Sequence, residues 1–401
     1  MNNWSRPAVM VTLSAATILM VTMGIRQTTG LYVSPVNTST GLGIVTISFA
    51  LAVAQFVWGV AQPVAGGLAD RYGPAPVLVG GILLVAAGSA ITPFMSTGAG
   101  LVFAMGILTA LGAGMGSFSV LLGAAANRLS AQERGFASGV INAGGSFGQF
   151  VFAPITQKLI QGLGWMGAMW VMAVVTLSAL PLVRSVTKGG AAPRKPVAGG
   201  GVWQAVRDAM GNNSYLLLHA GFFTCGFHIA FLVTHLPGEV DLCGLPPTVA
   251  SWSLAIIGIA NIVGSLLAGA GVGRYRSKYI LAWMYGSRAV LIAAYLVAPK
   301  TAFTFYLFGA GLGLTWLATV PPTAGIVGKL FGVRYLATLF GLTLLSHQIG
   351  GFLGAYLGGI AIATTGSYQW MWYADMALSS FAALVNLPIR EAPLEPKVAP
   401  A

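Results

Sequence analysis

Ionisable side chains are rare inside the long apolar runs of the sequence, and among them are Arg26, His228, Arg288 and Asp375. A charge in the middle of a bilayer-length segment costs about 3 kcal/mol or more, so such residues usually pair or mark the path of an ion or substrate. Arg26 stands in VTMGIRQTTGLYV, with no acidic residue within twenty positions on either side. An unpaired guanidinium in this position is suited to bind an anion.

Asp375 is the only acidic residue within the predicted apolar spans, and Arg288 is predicted to be its partner in an ion pair. This pair is either structural and remote from the substrate, or a proton-coupling site together with His228. Because the pair satisfies Asp375, Arg26 remains uncompensated. The sequence therefore predicts a ligand that supplies the missing negative charge.

Two alternatives stay open at this point. Arg26 could extend its side chain to the membrane interface or bind a backbone carbonyl, and His228 could be a neutral packing residue. If both are functional, counting about 1.5 Å per residue places them somewhat beyond the midplane, where they can face each other across a cavity.

The composition places these residues in a membrane protein. The chain has 401 residues, of which 56% are hydrophobic and 7% charged, with a mean hydropathy of +0.81. A soluble protein of this length needs far more charge on its surface. Two cysteines exclude a disulfide framework. The first apolar run is predicted to be an uncleaved transmembrane helix, since many similar runs follow it.

Twelve apolar runs are long enough to span a bilayer. The predicted spans are 9–33, 43–67, 76–95, 99–125, 135–160, 165–185, 213–237, 247–272, 279–298, 301–326, 336–362 and 368–388. With the N-terminus in the cytoplasm, nearly all loop lysines and arginines fall inside, and only Lys158 and Lys300 fall outside. This bias explains the net charge of +12 without a nucleic acid partner.

The two halves of the chain are related as copies. The Gly- and Pro-rich segment 187–212 is predicted to be a cytoplasmic linker between an N-terminal six-helix bundle (1–186) and a C-terminal bundle with a short tail (213–401). An offset of 202 residues places TMGIRQ on TCGFHI, so that Arg26 corresponds to His228. We therefore predict an all-α membrane fold of two bundles in a parallel internal repeat.

The loop GGLADRYG between spans 2 and 3 resembles the signature of the major facilitator superfamily. The resemblance implies a conformational latch in which an acid pairs with arginines and holds the halves in one state. The matching latch residues are Gly66, Asp70, Arg71 and Gly73, together with Arg134 at the entry to span 5. The basic residues that usually follow this loop are replaced by PAP.

The stretch RGFASGVINAGG at span 5 resembles monocarboxylate transporters, in particular bacterial members of that group. The resemblance implies a central cavity lined by helices 1, 4, 7 and 10, and a substrate-binding arginine in helix 8. The corresponding stretch of this chain offers Asn261 instead. The predicted substrate-binding residues are Arg26, His228, Gln27, Ser117, Asn261 and Trp316.

Other polar residues have a simpler predicted role. Those of spans 5 and 11 are predicted to form hydrogen bonds between helices at the junction of the halves. They are Asn142, Ser146, Gln149, Ser346, His347 and Gln348. In span 10, Pro321 and Pro322 are predicted to break the helix beside the cavity.

We predict a secondary transporter that moves a small organic anion, such as lactate or pyruvate, with a proton. The alternatives are an anion exchanger without proton coupling and a drug or metabolite exporter, although the G-P-x-x-G pattern typical of exporters is missing around Pro154. No constellation for catalysis, metal or cofactor binding is present in the sequence. The chain is predicted to be a monomer in the bacterial inner membrane, with both termini in the cytoplasm.

Overall fold

The described part of the chain is built of helices joined by short turns. The computed structural model describes residues 6–126, 128–129, 131–188, 202–272, 274–332 and 336–392. The membrane helices of the first half are α1 (Arg6–Gln27), α2 (Ile44–Tyr72), α3 (Pro74–Ile91), α4 (98–115), α5 (131–163) and α6 (165–177). Those of the second half are α7 (Asn213–Leu242), α8 (Pro247–Val272), α9 (Ser277–Val297), α10 (Ala302–Thr315), α11 (Leu336–Thr365) and α12 (Gln369–Asn386).

The predicted number of membrane helices is confirmed. Nine segments of the described residues are long and apolar enough to cross a membrane. One of them, Ala137–Thr187, contains both α5 and α6, which meet at a turn where Gly164 has a φ of 72°. The described residues of α11 and α12 do not meet this hydropathy criterion, but with these two helices the described part of the chain forms twelve bundle helices. Half of the predicted linker, residues 189–201, lies outside the described residues, and its last part forms the short helix Val202–Met210.

The internal repeat is visible in the backbone as well as in the sequence. Gly164 at the α5–α6 turn corresponds, at the same offset of 202, to Gly366 at the α11–α12 turn, and both have a positive φ. Such φ values favour glycine because it lacks a Cβ atom. The same offset also pairs the helices that pack most closely in each half, α1 on α5 and α7 on α11.

Glycines allow these helix pairs to approach each other. A methyl group built on Gly148 of α5 would lie 2.1 Å from the Met20 carbonyl oxygen of α1. One built on its equivalent, Gly350 of α11, would lie 2.0 Å from the Phe223 carbonyl oxygen of α7. Small residues at such crossings are what hold membrane helices together when lipid surrounds them.

Replacing Gly148 by alanine is therefore expected to destabilise the protein by about 1–3 kcal/mol, because the added methyl group forces α1 and α5 apart. The measurement is thermal unfolding in detergent. Gly139→Ala on the same helix is the control, since no atom of the described residues lies within 4 Å of a methyl group built there. Equal melting temperatures for both variants would contradict this packing argument.

The two halves meet along two pairs of helices, α2 with α11 and α5 with α8. Near the start of α2, a methyl group built on Gly359 of α11 would lie 2.4 Å from the side chain of Ser48. Further along α2, Gly59 packs against the side chain of Gln348 of α11. Next to α1, the carbonyl of Val233 leaves no room for a side chain at Gly30. These contacts lie in the middle of the bundle and at the end opposite the start of α1.

The break in helix 10 lies before the two prolines, so the sequence prediction of its position is wrong. The helix ends at Thr315 and resumes at Val320, with Pro321 and Pro322 in the first turn of the new segment Val320–Phe331. Proline is tolerated in the first turn of a helix, where its missing N–H would have no intrahelical partner. The prolines therefore start the second segment, and residues 316–319 form the break.

The loop that carries the superfamily signature joins α2 to α3. Gly73, with a φ of 87°, is the junction between them, and Gly66 lies in open space on the last turns of α2. The Arg71 guanidinium lies 5.1 Å from the centre of the Tyr72 ring. The side chains of Asp70 and Arg134 lie outside the described part of the structure, so the latch remains a prediction.

Candidate functional site

Arg26 lies at the end of α1, half-buried between α1 and α2. Its Nη2 donates a hydrogen bond to Oε1 of Gln55, and its guanidinium carbon stands 4.0 Å from the centre of the Trp58 ring. Among the residues that the structure describes, no carboxylate lies within 4 Å of it. A neutral amide and an aromatic ring stabilise a guanidinium without cancelling its charge.

A cavity of about 50 Å³ opens beside Arg26, inside the first bundle. This volume is enough for a few water molecules or for a very small anion. The polar residues that line it, besides Arg26 and Gln55, are Thr29, Tyr32, Ser89, Thr92 and Thr109. Met105, Met169 and Met172 form part of its apolar wall.

His228 does not face Arg26 across a cavity, and this prediction is wrong. Its side chain is fully buried in the second bundle, where Nδ1 lies 2.5 Å from Oδ2 of Asp375 on α12. The ring centroid lies 5.8 Å from that of Trp316, in the break of helix 10. The offset of 202 residues correctly places Arg26 and His228 on corresponding helices, yet each side chain points into its own bundle.

Arg288 does not form the predicted ion pair with Asp375, which is bonded to His228 instead. Nη2 of Arg288 donates a hydrogen bond to the carbonyl oxygen of Thr315 at 2.7 Å and lies 3.4 Å from the carbonyl oxygen of Trp316. These carbonyls face the break in helix 10, where they have lost their helical partners. α9 and α12 do pack side by side, but the broken helix gives the guanidinium other acceptors.

The buried cluster in the second bundle is incompletely hydrogen-bonded. Within the described part of the chain, Nε2 of His228, Oδ1 of Asp375, and Nε and Nη1 of Arg288 have no partner. Buried charged groups are costly unless they are satisfied. In native proteins such unpaired groups generally mark a bound water or ion, or a functional role. We call this cluster of His228, Asp375 and Arg288 the buried triad.

The other predicted substrate residues have different surroundings. Asn261 connects the halves: its Nδ2 donates to Ser146 Oγ at 2.8 Å, and its Oδ1 accepts the N–H of Leu317 at 2.9 Å. Ser117 shares a hydrogen bond of 3.0 Å with Ser119. Gln27 and Trp316 are both buried. In this conformation Asn261 is held by protein partners and is not free to bind a ligand.

Trp58 is the site residue that the sequence analysis missed. The signal was available, because Gln55, Trp58 and Gln62 follow one another at intervals of three and four residues. That spacing puts all three on one face of a helix. Only the structure shows that this face of α2 turns towards Arg26 and α11.

The twelve helices in two repeated bundles define the class of secondary transporters with parallel internal repeats. The chain belongs to the Major Facilitator Superfamily, whose family model matches residues 15–355. It is therefore a multi-pass membrane transporter, with a small molecule as its substrate.

Two curated relatives and two solved structures illustrate this placement. The chain is 26% identical to monocarboxylate transporter 13 of Rattus norvegicus, over 85% of this chain and 78% of the relative. It is 24% identical to the oxalate:formate antiporter of Oxalobacter formigenes, over 92% and 88% of the two chains.

Among solved structures, the D-xylose-proton symporter has a TM-score of 0.77 at 14% identity, covering 95% of this chain and 97% of that one. A bacterial homologue of the lysosomal transporter Spinster, inward-facing and occupied, has a TM-score of 0.72 at 12% identity, covering 96% and 95%. These likenesses concern the fold.

Proposed function

We propose that this protein is a secondary active transporter of a small organic anion, a monocarboxylate such as lactate or pyruvate, moved together with a proton by alternating access. The observation that carries the proposal is Arg26, a guanidinium without a carboxylate partner among the described residues. The names of the relatives, monocarboxylate transporter and oxalate:formate antiporter, point to the same class of cargo.

The proposed role of Arg26 follows from its partners. One hydrogen bond to Gln55 leaves most of its five N–H donors available, and the planar guanidinium suits a carboxylate in a bidentate arrangement. An anion that binds here removes the energetic cost of a charge at membrane depth. The cargo thus takes the place of an acidic side chain.

The buried triad is the proposed proton-coupling site. In the unprotonated state, Asp375 accepts from a neutral His228, and the positive charge of Arg288 balances the carboxylate. One added proton gives the buried triad a net positive charge. An anion bound at Arg26 stabilises this charge electrostatically, although it does not touch the triad. If anion and proton raise each other's affinity in this way, they move together as a symport.

Alternating access would act on the contacts between the halves. Packing of α2 on α11 and of Gly30 on Val233 closes the end opposite the start of α1. We propose that the two bundles rock about the anion site, so that these contacts part in the opposite state. The proposed latch consists of Gly66, Asp70, Arg71, Gly73 and Arg134.

We also propose that the chain is a monomer with cytoplasmic termini in the bacterial inner membrane, and that it is not an enzyme.

The proposal is tested with purified protein in proteoliposomes. Labelled pyruvate should accumulate above its external concentration when the inside is made more alkaline, and a protonophore should abolish this accumulation. Empty liposomes are the control. If neither pyruvate nor lactate is taken up under any of these conditions, the proposal is wrong.

An exchanger without proton coupling is the second candidate, favoured by the likeness to an oxalate:formate antiporter. The same vesicles distinguish it. Preloading with unlabelled anion should then stimulate uptake of labelled anion, and an imposed pH gradient should have no effect. An efflux assay with a fluorescent dye identifies the third possibility, an exporter.

A further inference from the structure

His347 is a buried histidine whose role the proposed function leaves open. It lies on α11 with 7% of its surface exposed, and its ring packs 4.9 Å from the ring of Phe222 on α7. Neither ring nitrogen has a hydrogen-bond partner within the described part of the chain. The neighbouring Ser346 does have one, since its Oγ lies 2.6 Å from Nδ1 of His219. The sequence-based prediction of an inter-helix hydrogen bond is therefore wrong for His347.

The position of His347 brings it close to the site of Arg26. His347 and Gly351 lie one turn apart on the same face of α11. A methyl group built on Gly351 would lie 3.6 Å from Cβ of Gln55, the residue that accepts the hydrogen bond of Arg26. Arg26 also interacts electrostatically with the His347 ring. His347 is thus the histidine that shares its surroundings with the Arg26 site, whereas His228 is bonded to Asp375.

Other unpaired polar groups surround the same place. The side chain of Gln348 packs against Gly59 of α2, and both of its amide atoms are buried without a partner in the described part of the chain. The indole N–H of Trp58, whose ring lies beside Arg26, is also unpaired among the described residues. Buried donors without acceptors, contributed by both halves, are what a site for an oxygen-rich anion requires.

The charged groups that interact with His347 are positive. They are Arg26 of α1 and Arg288 of α9. On α7 its ring packs against Phe222, and His219, one turn away, is bonded to Ser346. The α2 residues beside Arg26, Gln55 and Trp58, are uncharged. A proton on His347 therefore adds a positive charge to a region that is already positive, unless an anion compensates it.

We propose that His347 completes the anion site, and that it takes up a proton when a carboxylate binds to Arg26. This inference rests on the proposed function and deepens it. The bound carboxylate lies between a permanent cation contributed by one half and a protonatable group contributed by the other. Because the coupling is reciprocal, a lower pH strengthens anion binding at this site. The buried triad is linked to anion binding in the same direction, so the two proton sites add to one pH dependence.

The test is pyruvate binding to the purified full chain, measured by isothermal titration calorimetry at pH 5.5 and pH 7.5, in two buffers with different ionisation enthalpies. Pyruvate is fully ionised at both values, so the ligand itself contributes no pH dependence. The wild type should bind about 10-fold more tightly at the lower pH and take up protons from the buffer on binding. His347→Gln should show a smaller change of affinity between the two pH values and take up fewer protons than the wild type, because only the buried triad still responds to the anion.

His219→Gln is the matched control, because this histidine lies on the neighbouring helix and already has a partner; it should behave like the wild type. If His347→Gln does not fold, His347→Asn replaces it. Pyruvate binding by the wild type without pH dependence or proton uptake overturns the inference and leaves the anion transporter standing. So does a His347 variant whose pH dependence and proton uptake equal those of the wild type. If Arg26→Gln binds pyruvate as well as the wild type, the proposed function itself fails.

Discussion

Replacing Arg26 by glutamine is expected to reduce pyruvate uptake into proteoliposomes about 100-fold. A charge-assisted hydrogen bond contributes up to about 3 kcal/mol, and each 1.4 kcal/mol changes affinity tenfold. Glutamine has a similar length and retains donors, but it has no charge to offer a carboxylate. The loss should appear in equilibrium binding as well as in transport, because the residue is proposed to touch the anion.

The control for this prediction is Arg26→Lys. A lysine keeps the charge but cannot form a bidentate pair, so uptake should fall less than in the glutamine variant. Thermal unfolding of both variants separates loss of function from loss of folding. Since the native guanidinium has no acidic partner among the described residues, Arg26→Gln should melt at or above the wild-type temperature. Full uptake by Arg26→Gln would show that the cargo does not bind there.

Replacing Asp375 by asparagine is expected to abolish accumulation driven by a pH gradient while leaving exchange of labelled for unlabelled anion measurable. The substitution removes the negative charge of the buried triad, which is bonded to His228. Breaking a buried charge pair on one side costs about 3–5 kcal/mol, so the melting temperature in detergent should also fall.

Ser379→Ala is the matched control, because Ser379 lies one turn further along α12 and is also fully buried. It should keep both gradient-driven accumulation and stability. If an Asp375→Asn protein still accumulates pyruvate under a pH gradient, the proton is coupled at another residue. The first place to look would then be His347.

Much of the fold followed from patterns that are local in the sequence. The apolar runs gave twelve helices because a bilayer demands about twenty apolar residues for each crossing. The repeat was detectable since the two halves keep the same glycines, such as Gly164 and Gly366, where the backbone needs a positive φ. The boundaries were less certain: α7 continues to Leu242, so Glu239 lies inside a helix and accepts a hydrogen bond from Tyr295.

The site followed from the sequence only in part. That Arg26 has no acidic neighbour could be predicted, because the surrounding sequence contains none and because acids are so scarce in the predicted spans. The partner of Asp375 could not be predicted from the sequence. Two cations, Arg288 and His228, were available at suitable depth, and the choice between them depended on where helix 10 breaks. Its open carbonyls bind Arg288, and Asp375 is thereby left to His228.

The sequence by itself thus determined the number of helices, their repeat and the presence of a cation without a counter-ion, since hydropathy, offset and composition are properties of the chain alone. The tertiary structure decided which groups meet. It turned His228 into the second bundle and placed His347 near Arg26, and it aligned Gln55 and Trp58 with the guanidinium. The physical reason is that side-chain partners in a helical membrane protein are set by helix rotation and crossing, and a shift of one residue rotates a side chain by about 100° around its helix.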